Sequence, residues 1–496
     1  MTRASGILLP VFSIPSKYGI GCFSKEAYTF IDQLNQAGQK YWQLLPLGPT
    51  SYGDSPYQSF STFAGNPYFI DLERLILEGL LEQEECDIIE FGYDDRYIDY
   101  GQIYQERKDI LWKAFKRSKV EVEDNYKTFV QENKEWLPDY ALFMAVKSQF
   151  GDRSWIEWDE DIRTREGLAI EKYKELLQEE IAYYYFVQYK FKEQWLELKS
   201  YANEKGIQII GDIPIYVALD SADTWTRPEL FQMDKNRMPT AQAGCPPDGF
   251  SATGQLWGNP LYNWEYHKET DYEWWCNRVA YHQRLYDVVR IDHFRGLDEY
   301  YSIPWGALTA EIGEWRRGPG YDIFKVLSKK LGTLNVIAED LGFLTEGVFK
   351  LLADTKYPGM KVLQFAFDSR ESGDYLPHNY IHNCIVYTGT HDNDTTKSWY
   401  QSIRDEEREY ILEYLGRKDT EVTDNEITWR LISMAQSSVA KLCVIPVQDY
   451  LGLGAEGRIN TPSTLGGNWT WRLRDGEIME ELIKQIRQMT QLYGRV

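Results

Sequence analysis

The chain has 496 residues, and its 54 Lys and Arg stand against 76 Asp and Glu for a formal net charge of −22. A hydrophobic share of 43% beside 26% charge is an ordinary globular composition that can bury a sizeable core, and the length fits one large domain with insertions or about three ordinary ones. So acidic a surface repels phosphate backbones and anionic lipid, which argues against nucleic acid and membrane surfaces and leaves neutral or cationic partners.

In chain order, the apolar opening 6–14 is broken by Pro10 and Pro15 and lacks a basic leader and a cleavage site, so it does not read as a signal peptide. The first strand candidates are 41–45 and 68–72. A stretch rich in Glu, Tyr and Lys follows, with helical patterns at 85–91, 103–117 and 136–150. The clearest helix spans 179–203, where Val187, Phe191, Trp195, Leu198 and Ala202 recur at spacings of three and four. Lys205 and Gly206 supply a last-turn cation and a glycine stop, and strand candidate 207–210 begins at once. Gly, Pro, Asn and Trp dominate 217–281, which reads as ordered loop over a site. Further strand candidates are 288–291, 335–338, 361–365, 385–388 and 442–445.

Eight apolar strands alternating with amphipathic helices indicate a parallel sheet covered by helices: an α/β fold, the (β/α)8 TIM barrel, with inserted subdomains and no C-terminal β-sandwich. The expected division gives the barrel residues 1–72 and 176–496, a mainly helical insertion 73–175, and a loop-rich insertion 217–281 over the cleft. Six cysteines without a C-x-x-C pair argue against a zinc site or a disulfide framework. With no apolar run of membrane-spanning length, the expected location is cytoplasmic.

In a parallel barrel the carboxyl ends of all strands open on one face, so polar residues just past each apolar run converge. This collects Asp212, Arg290, Asp292, Glu339, His391 and Asp392. Such a set suits glycosidic-bond cleavage with retention, in which one carboxylate attacks the anomeric carbon and a second protonates the leaving oxygen. Arg290, two residues before Asp292, is placed to keep a nucleophile ionised, and Glu339 needs a raised pKa to act as an acid. The alternative is that these aspartates cap helices or pair with arginine. His293 and His391 among carboxylates raise a metal site, but no metal-binding spacing supports one and none is expected. No G-x-G-x-x-G follows a strand, and no G-x-S-x-G is present. The 17 Trp and 36 Tyr suit a sugar with flat apolar faces, although most of these rings are expected to fill the core.

Particular segments carry a closer likeness. Residues 6–21 (GILLPVFSIPSKYGIG), 42–49 (WQLLPLGP), 55–58 (SPYQ), 211–217 (GDIPIYV), 250–262 (FSATGQLWGNPLY), 290–296 (RIDHFRG), 338–342 (AEDLG), 389–393 (GTHDN), 460–462 (NTP) and 468–469 (NW) resemble the 4-α-glucanotransferases of glycoside hydrolase family 77, called amylomaltases or disproportionating enzymes. The likeness covers essentially the whole chain. It implies that Asp292 is the nucleophile of a covalent glucosyl-enzyme, Glu339 the general acid/base and Asp392 the transition-state stabiliser. It further implies substrate contacts from Tyr57, Ser55, Asp212, Asp248, Phe250, Gln255, Trp257, Arg290, His391 and Asn460. For Asp212, Trp257 and Asn460 a structural role is the alternative. Gly249 departs from the family, where a larger, often aromatic, residue precedes the phenylalanine.

The implied reaction moves a segment of an α-1,4-glucan to the 4-hydroxyl of glucose or a malto-oligosaccharide, without cofactor, in a monomer or homodimer. Its rivals are an α-glucan hydrolase of the α-amylase type and a non-catalytic glucan-binding scaffold. Retention carries the expectation that the two carboxyls lie roughly 5 to 5.5 Å apart.

Overall fold

The computed structural model describes residues 3–51, 53–247, 251–342, 344–368, 373–417 and 422–496. Its strands, in chain order, are β1 (Ala4–Leu8), β2 (Tyr41–Gln43), β3 (Gln208–Ile213), β4 (Ala241–Cys245), β5 (Gln255–Pro260), β6 (Val288–Ile291), β7 (Glu299–Pro304), β8 (Glu314–Arg317), β9 (Val336–Ala338), β10 (Gly359–Val362), β11 (Cys384–Tyr387) and β12 (Leu442–Pro446). Eight of them form one sheet in the order β10-β11-β12-β1-β2-β3-β6-β9. Every pairing in it is parallel. The outer strands meet: the Ala338 N–H donates to the Pro358 carbonyl at 3.0 Å, and Asp340 Oδ1 accepts from the Met360 N–H at 2.6 Å. The sheet thereby rolls into the expected TIM barrel.

Strands β1, β11 and β12 are buried along their whole length, as expected where helices cover one face of a parallel sheet and packed side chains the other. The segment 68–72 is not a strand. Asn66 Oδ1 accepts from the Tyr68 N–H at 3.0 Å and caps a 3-10 turn at Pro67–Phe69, and Asp71 caps the helix Leu72–Leu77. These caps fix a turn and a helix start where hydrophobicity alone reads extended chain. The vacant place in the barrel is filled by β1, between β12 and β2. Pro10 does not interrupt this strand, because it lies past its end and opens a 3-10 turn at Val11–Ser13.

The helix Gln178–Glu204 buries Val187, Phe191, Trp195, Leu198 and Ala202, and Gly206 ends it in the left-handed region at φ +77°. Phe23 joins it, with ring centroids 5.3 Å from Phe191 and 5.4 Å from Trp195. The helices Tyr100–Arg117 and Leu137–Gln149 pack on it as well, while the 85–91 pattern shortens to a helix at Gln83–Asp87. Within 217–281 the chain is not all loop: β4 and β5 join β7 and β8 in an antiparallel sheet ordered β5-β4-β7-β8. No described helix is long and apolar enough to cross a membrane.

Candidate active site

Strand register brings the first residues together. Asp212 lies within β3, one residue before its end rather than beyond it, directly opposite Arg290 of β6. Arg290 Nη1 donates to Asp212 Oδ2 at 2.6 Å and to Asp292 Oδ1 at 3.0 Å. The Tyr57 hydroxyl donates to the same Asp212 oxygen at 2.8 Å. The Arg290 side chain is 4% exposed and that of Asp212 is fully buried, whereas the Asp292 side chain is 28% exposed. One cation therefore serves two carboxylates, and only Asp292 reaches the cleft. Burial pushes both carboxyls up to about 6 against the pull of Arg290.

Glu339 follows β9, the neighbour of β6. Its Oε2 accepts from the His293 N–H at 2.6 Å and its Oε1 from the Leu341 N–H at 3.0 Å. His293 takes a left-handed conformation at φ +48°, which costs a non-glycine residue about 1–2 kcal/mol. That turn, immediately after Asp292, is what aims its N–H at Glu339. Burial raises the Glu339 carboxyl although Arg290 and the two N–H groups favour its ionised form.

The third carboxylate sits after β11. Asp392 Oδ2 lies 3.3 Å from His391 Nε2, and its Oδ1 accepts from Asn460 Nδ2 at 2.6 Å. Burial works to raise this carboxyl, but the imidazolium and the amide overcome it and hold Asp392 at about 2. His391 is the converse case: burial opposes its charge, and Asp392 raises it above the ordinary imidazole range.

Aromatic rings line the mouth. Tyr57 stacks on the His391 ring with centroids 5.2 Å apart and planes at 16°. Trp469 packs 6.0 Å from Tyr57 and 5.9 Å from His391. Trp257 meets His293 edge-on at 4.8 Å. Two expected contact residues brace these rings: Ser55 Oγ accepts from the Tyr57 N–H at 3.3 Å, and Gln255 Oε1 accepts from Trp257 Nε1 at 3.1 Å. Asp248, Gly249 and Phe250 lie outside the described residues. Beside Tyr57 and Asp212 a pocket of about 530 Å³, partly open to solvent, enters the fold. Asp212 Oδ1 is buried and has no hydrogen-bond partner among the described residues.

Strand-end reasoning does not reach Trp469 or Arg458, whose Nη2 donates to the Asp392 carbonyl at 3.2 Å. Both come from the segment after β12, where Trp469 belongs to the 468–469 motif and only nearness to the 460–462 motif marks Arg458. Among the described residues no three His, Cys, Asp or Glu side chains converge as metal ligands.

Comparison with known proteins places the chain in a family and matches its fold. A family model described as 4-alpha-glucanotransferase matches residues 9–478. A 4-alpha-glucanotransferase of Clostridium butyricum is 48% identical over 488 residues, covering 98% of this chain and 99% of that protein. One from Thermus thermophilus is 44% identical, with both chains covered in full. Among solved structures, the amylomaltase from Streptococcus agalactiae in complex with acarbose superposes with a TM-score of 0.96 at 43% identity, over 99% of each chain. An amylomaltase from Corynebacterium glutamicum shares the fold at a TM-score of 0.77 and 21% identity, over 100% of this chain and 74% of its own.

Proposed function

The chain belongs to the 4-alpha-glucanotransferase family and is a glycosyltransferase of that type, and from this premise we propose that it works by retaining double displacement through a glucosyl ester on Asp292. The observation that carries this reading is the shared arginine: Arg290 bridges Asp212 and Asp292 and leaves only Asp292 at the cleft. With an α-1,4-glucan across the barrel mouth, Asp292 attacks the anomeric carbon while Glu339 gives its proton to the departing 4-oxygen. Cleavage leaves the non-reducing segment bound through an ester and Glu339 as a carboxylate. The 4-hydroxyl of glucose or a malto-oligosaccharide then gives its proton to Glu339 and displaces Asp292. Two inversions restore the α-1,4 bond.

Positive charge develops on the sugar ring in both steps. Asp392, held ionised by His391 and oriented by Asn460, lies where it can hold hydroxyls of that sugar and stabilise the charge. The paired Tyr57 and His391 rings offer a flat wall to the same sugar. The rings at the mouth also favour a sugar acceptor over water by positioning its hydroxyl. Acarbose, bound in the S. agalactiae neighbour, is expected to inhibit this chain too.

The competing reading is hydrolysis with the same carboxylates. Maltotriose separates the two: transfer yields glucose and longer oligomers at nearly constant total reducing ends, whereas hydrolysis raises the reducing ends steadily. Asp292→Asn is expected to lower transfer by about 10⁴-fold or more. Undiminished chain elongation in that variant would overturn the assignment.

A further inference from the structure

The turn that carries Asp292 continues into Arg295, whose guanidinium carbon lies 4.1 Å from the centroid of the Trp315 ring. Trp315 sits on β8, opposite Tyr301 of β7, and the Tyr301 ring meets it at 5.2 Å and 57°. With Arg295 on one face and Tyr301 at a tilt, Trp315 is still 41% exposed. A part-exposed indole offers a flat apolar face and a polar N–H edge to a ligand with one apolar face.

The surroundings favour a sugar chain. All four residues of β8 are exposed, and among the described residues no strand pairs with its outer edge, which leaves backbone N–H and C=O groups for hydroxyls. Leu308 and Ile312, in the connection leading to β8, are 94% and 74% exposed. That connection is tied to the segment bordering the cleft, since the Ala310 N–H donates to the Thr253 carbonyl at 2.9 Å and the Ala310 carbonyl accepts from the Tyr301 hydroxyl at 3.1 Å. The platform is therefore tied to the turn that carries Asp292 through Arg295, and its connection is tied to Thr253 through Ala310.

We propose that Trp315 is a remote glucan platform, on which an α-1,4-glucan too long for the catalytic pocket lays one of its sugar faces. The proposal rests on the glucan-transfer reading above. It assigns Trp315 a share in gripping long chains that a short oligomer does not use.

The test compares amylose with maltotriose, using the full-length enzyme. In Trp315→Ala the ratio of amylose to maltotriose kcat/KM is expected to fall about three- to tenfold, through the amylose KM. Trp315→Phe, which keeps a flat ring, is expected to retain most of that ratio. In the Asp292→Asn background, which does not degrade the gel matrix, the alanine variant is expected to migrate faster through an amylose-containing native gel. Equal losses on both substrates would make Trp315 a brace for Arg295 and overturn the platform, as would an unchanged amylose KM. A wild-type enzyme inert on both glucans would instead overturn the transfer reading, and this site with it.

Discussion

At Arg290 a single guanidinium nitrogen lies 2.6 Å from Asp212 and 3.0 Å from Asp292, and its pull only partly offsets the burial that raises Asp292 and sets the working pH. Asp292 attacks only when ionised, and with its carboxyl at about 6 the active fraction falls as pH drops through that value. Glu339 acts first as an acid, and its raised carboxyl keeps the proton to higher pH than an ordinary glutamate. A plot of kcat/KM against pH is expected to be bell-shaped with its acid limb near 6. Asp212→Asn removes a neighbouring negative charge and leaves Arg290 to Asp292 alone, so the acid limb is expected to move to lower pH while the plateau falls. Asp392, held at about 2, stays charged across the whole profile and is one of the charges that raise Asp292, so Asp392→Asn is expected to lose more at pH 8 than at pH 5, where freeing Asp292 of that charge partly offsets the loss. Asp292, Glu339 and Asp392 are legible in the sequence because each follows an apolar strand. The Arg290 bridge to Asp212 is less so, since it depends on the register of β3 against β6. Trp469 belongs to no strand end, and its left-handed φ of +64° is a backbone property that the sequence does not announce.

The barrel strands β6, β9, β11 and β12 are readable as short apolar runs because both faces of a parallel sheet are buried. The same rule misplaces a strand at 68–72, where Asn66 and Asp71 caps outweigh an apolar run, and overlooks β1, whose small residues Ala4, Ser5 and Gly6 carry little hydrophobic signal. Gly6 is there because a Cβ would stand 2.6 Å from the Tyr41 carbonyl oxygen on β2. The antiparallel sheet of β4, β5, β7 and β8 is hidden because two of its strands lie in Gly- and Asn-rich sequence. At the seam between β9 and β10, Asp340 receives the Met360 N–H one residue past Glu339. Asp340→Ala leaves that donor unpaired and is expected to cost about 1–3 kcal/mol in urea unfolding, whereas Asp340→Asn keeps an acceptor oxygen and is expected to cost less. Equal losses in the two variants would show that the negative charge, not the hydrogen bond, closes the barrel.

Across the whole molecule the charge of −22 says less about the chemistry than its size suggests. Many acidic residues sit in exposed pairs such as Lys17–Asp87 and Lys127–Asp124, far from the handful that line the site. A neutral glucan feels little of that field, so kcat/KM on maltotriose is expected to change less than about twofold between about 0.02 and 0.5 M salt. Aromatic content divides in the same way. Trp42, Trp155, Trp195, Trp225, Trp275 and Trp471 are fully buried core, whereas Tyr57 and Trp257 stand among the site residues and Trp315 is part-exposed on β8. The most direct measurement is mass spectrometry of the Glu339→Gln variant after incubation with α-maltosyl fluoride. Fluoride departs without an acid, and without the base the acceptor is not activated, so the intermediate accumulates. The expected result is one maltosyl group on the peptide containing Asp292; a label on another residue, or none while transfer proceeds, would contradict the mechanism.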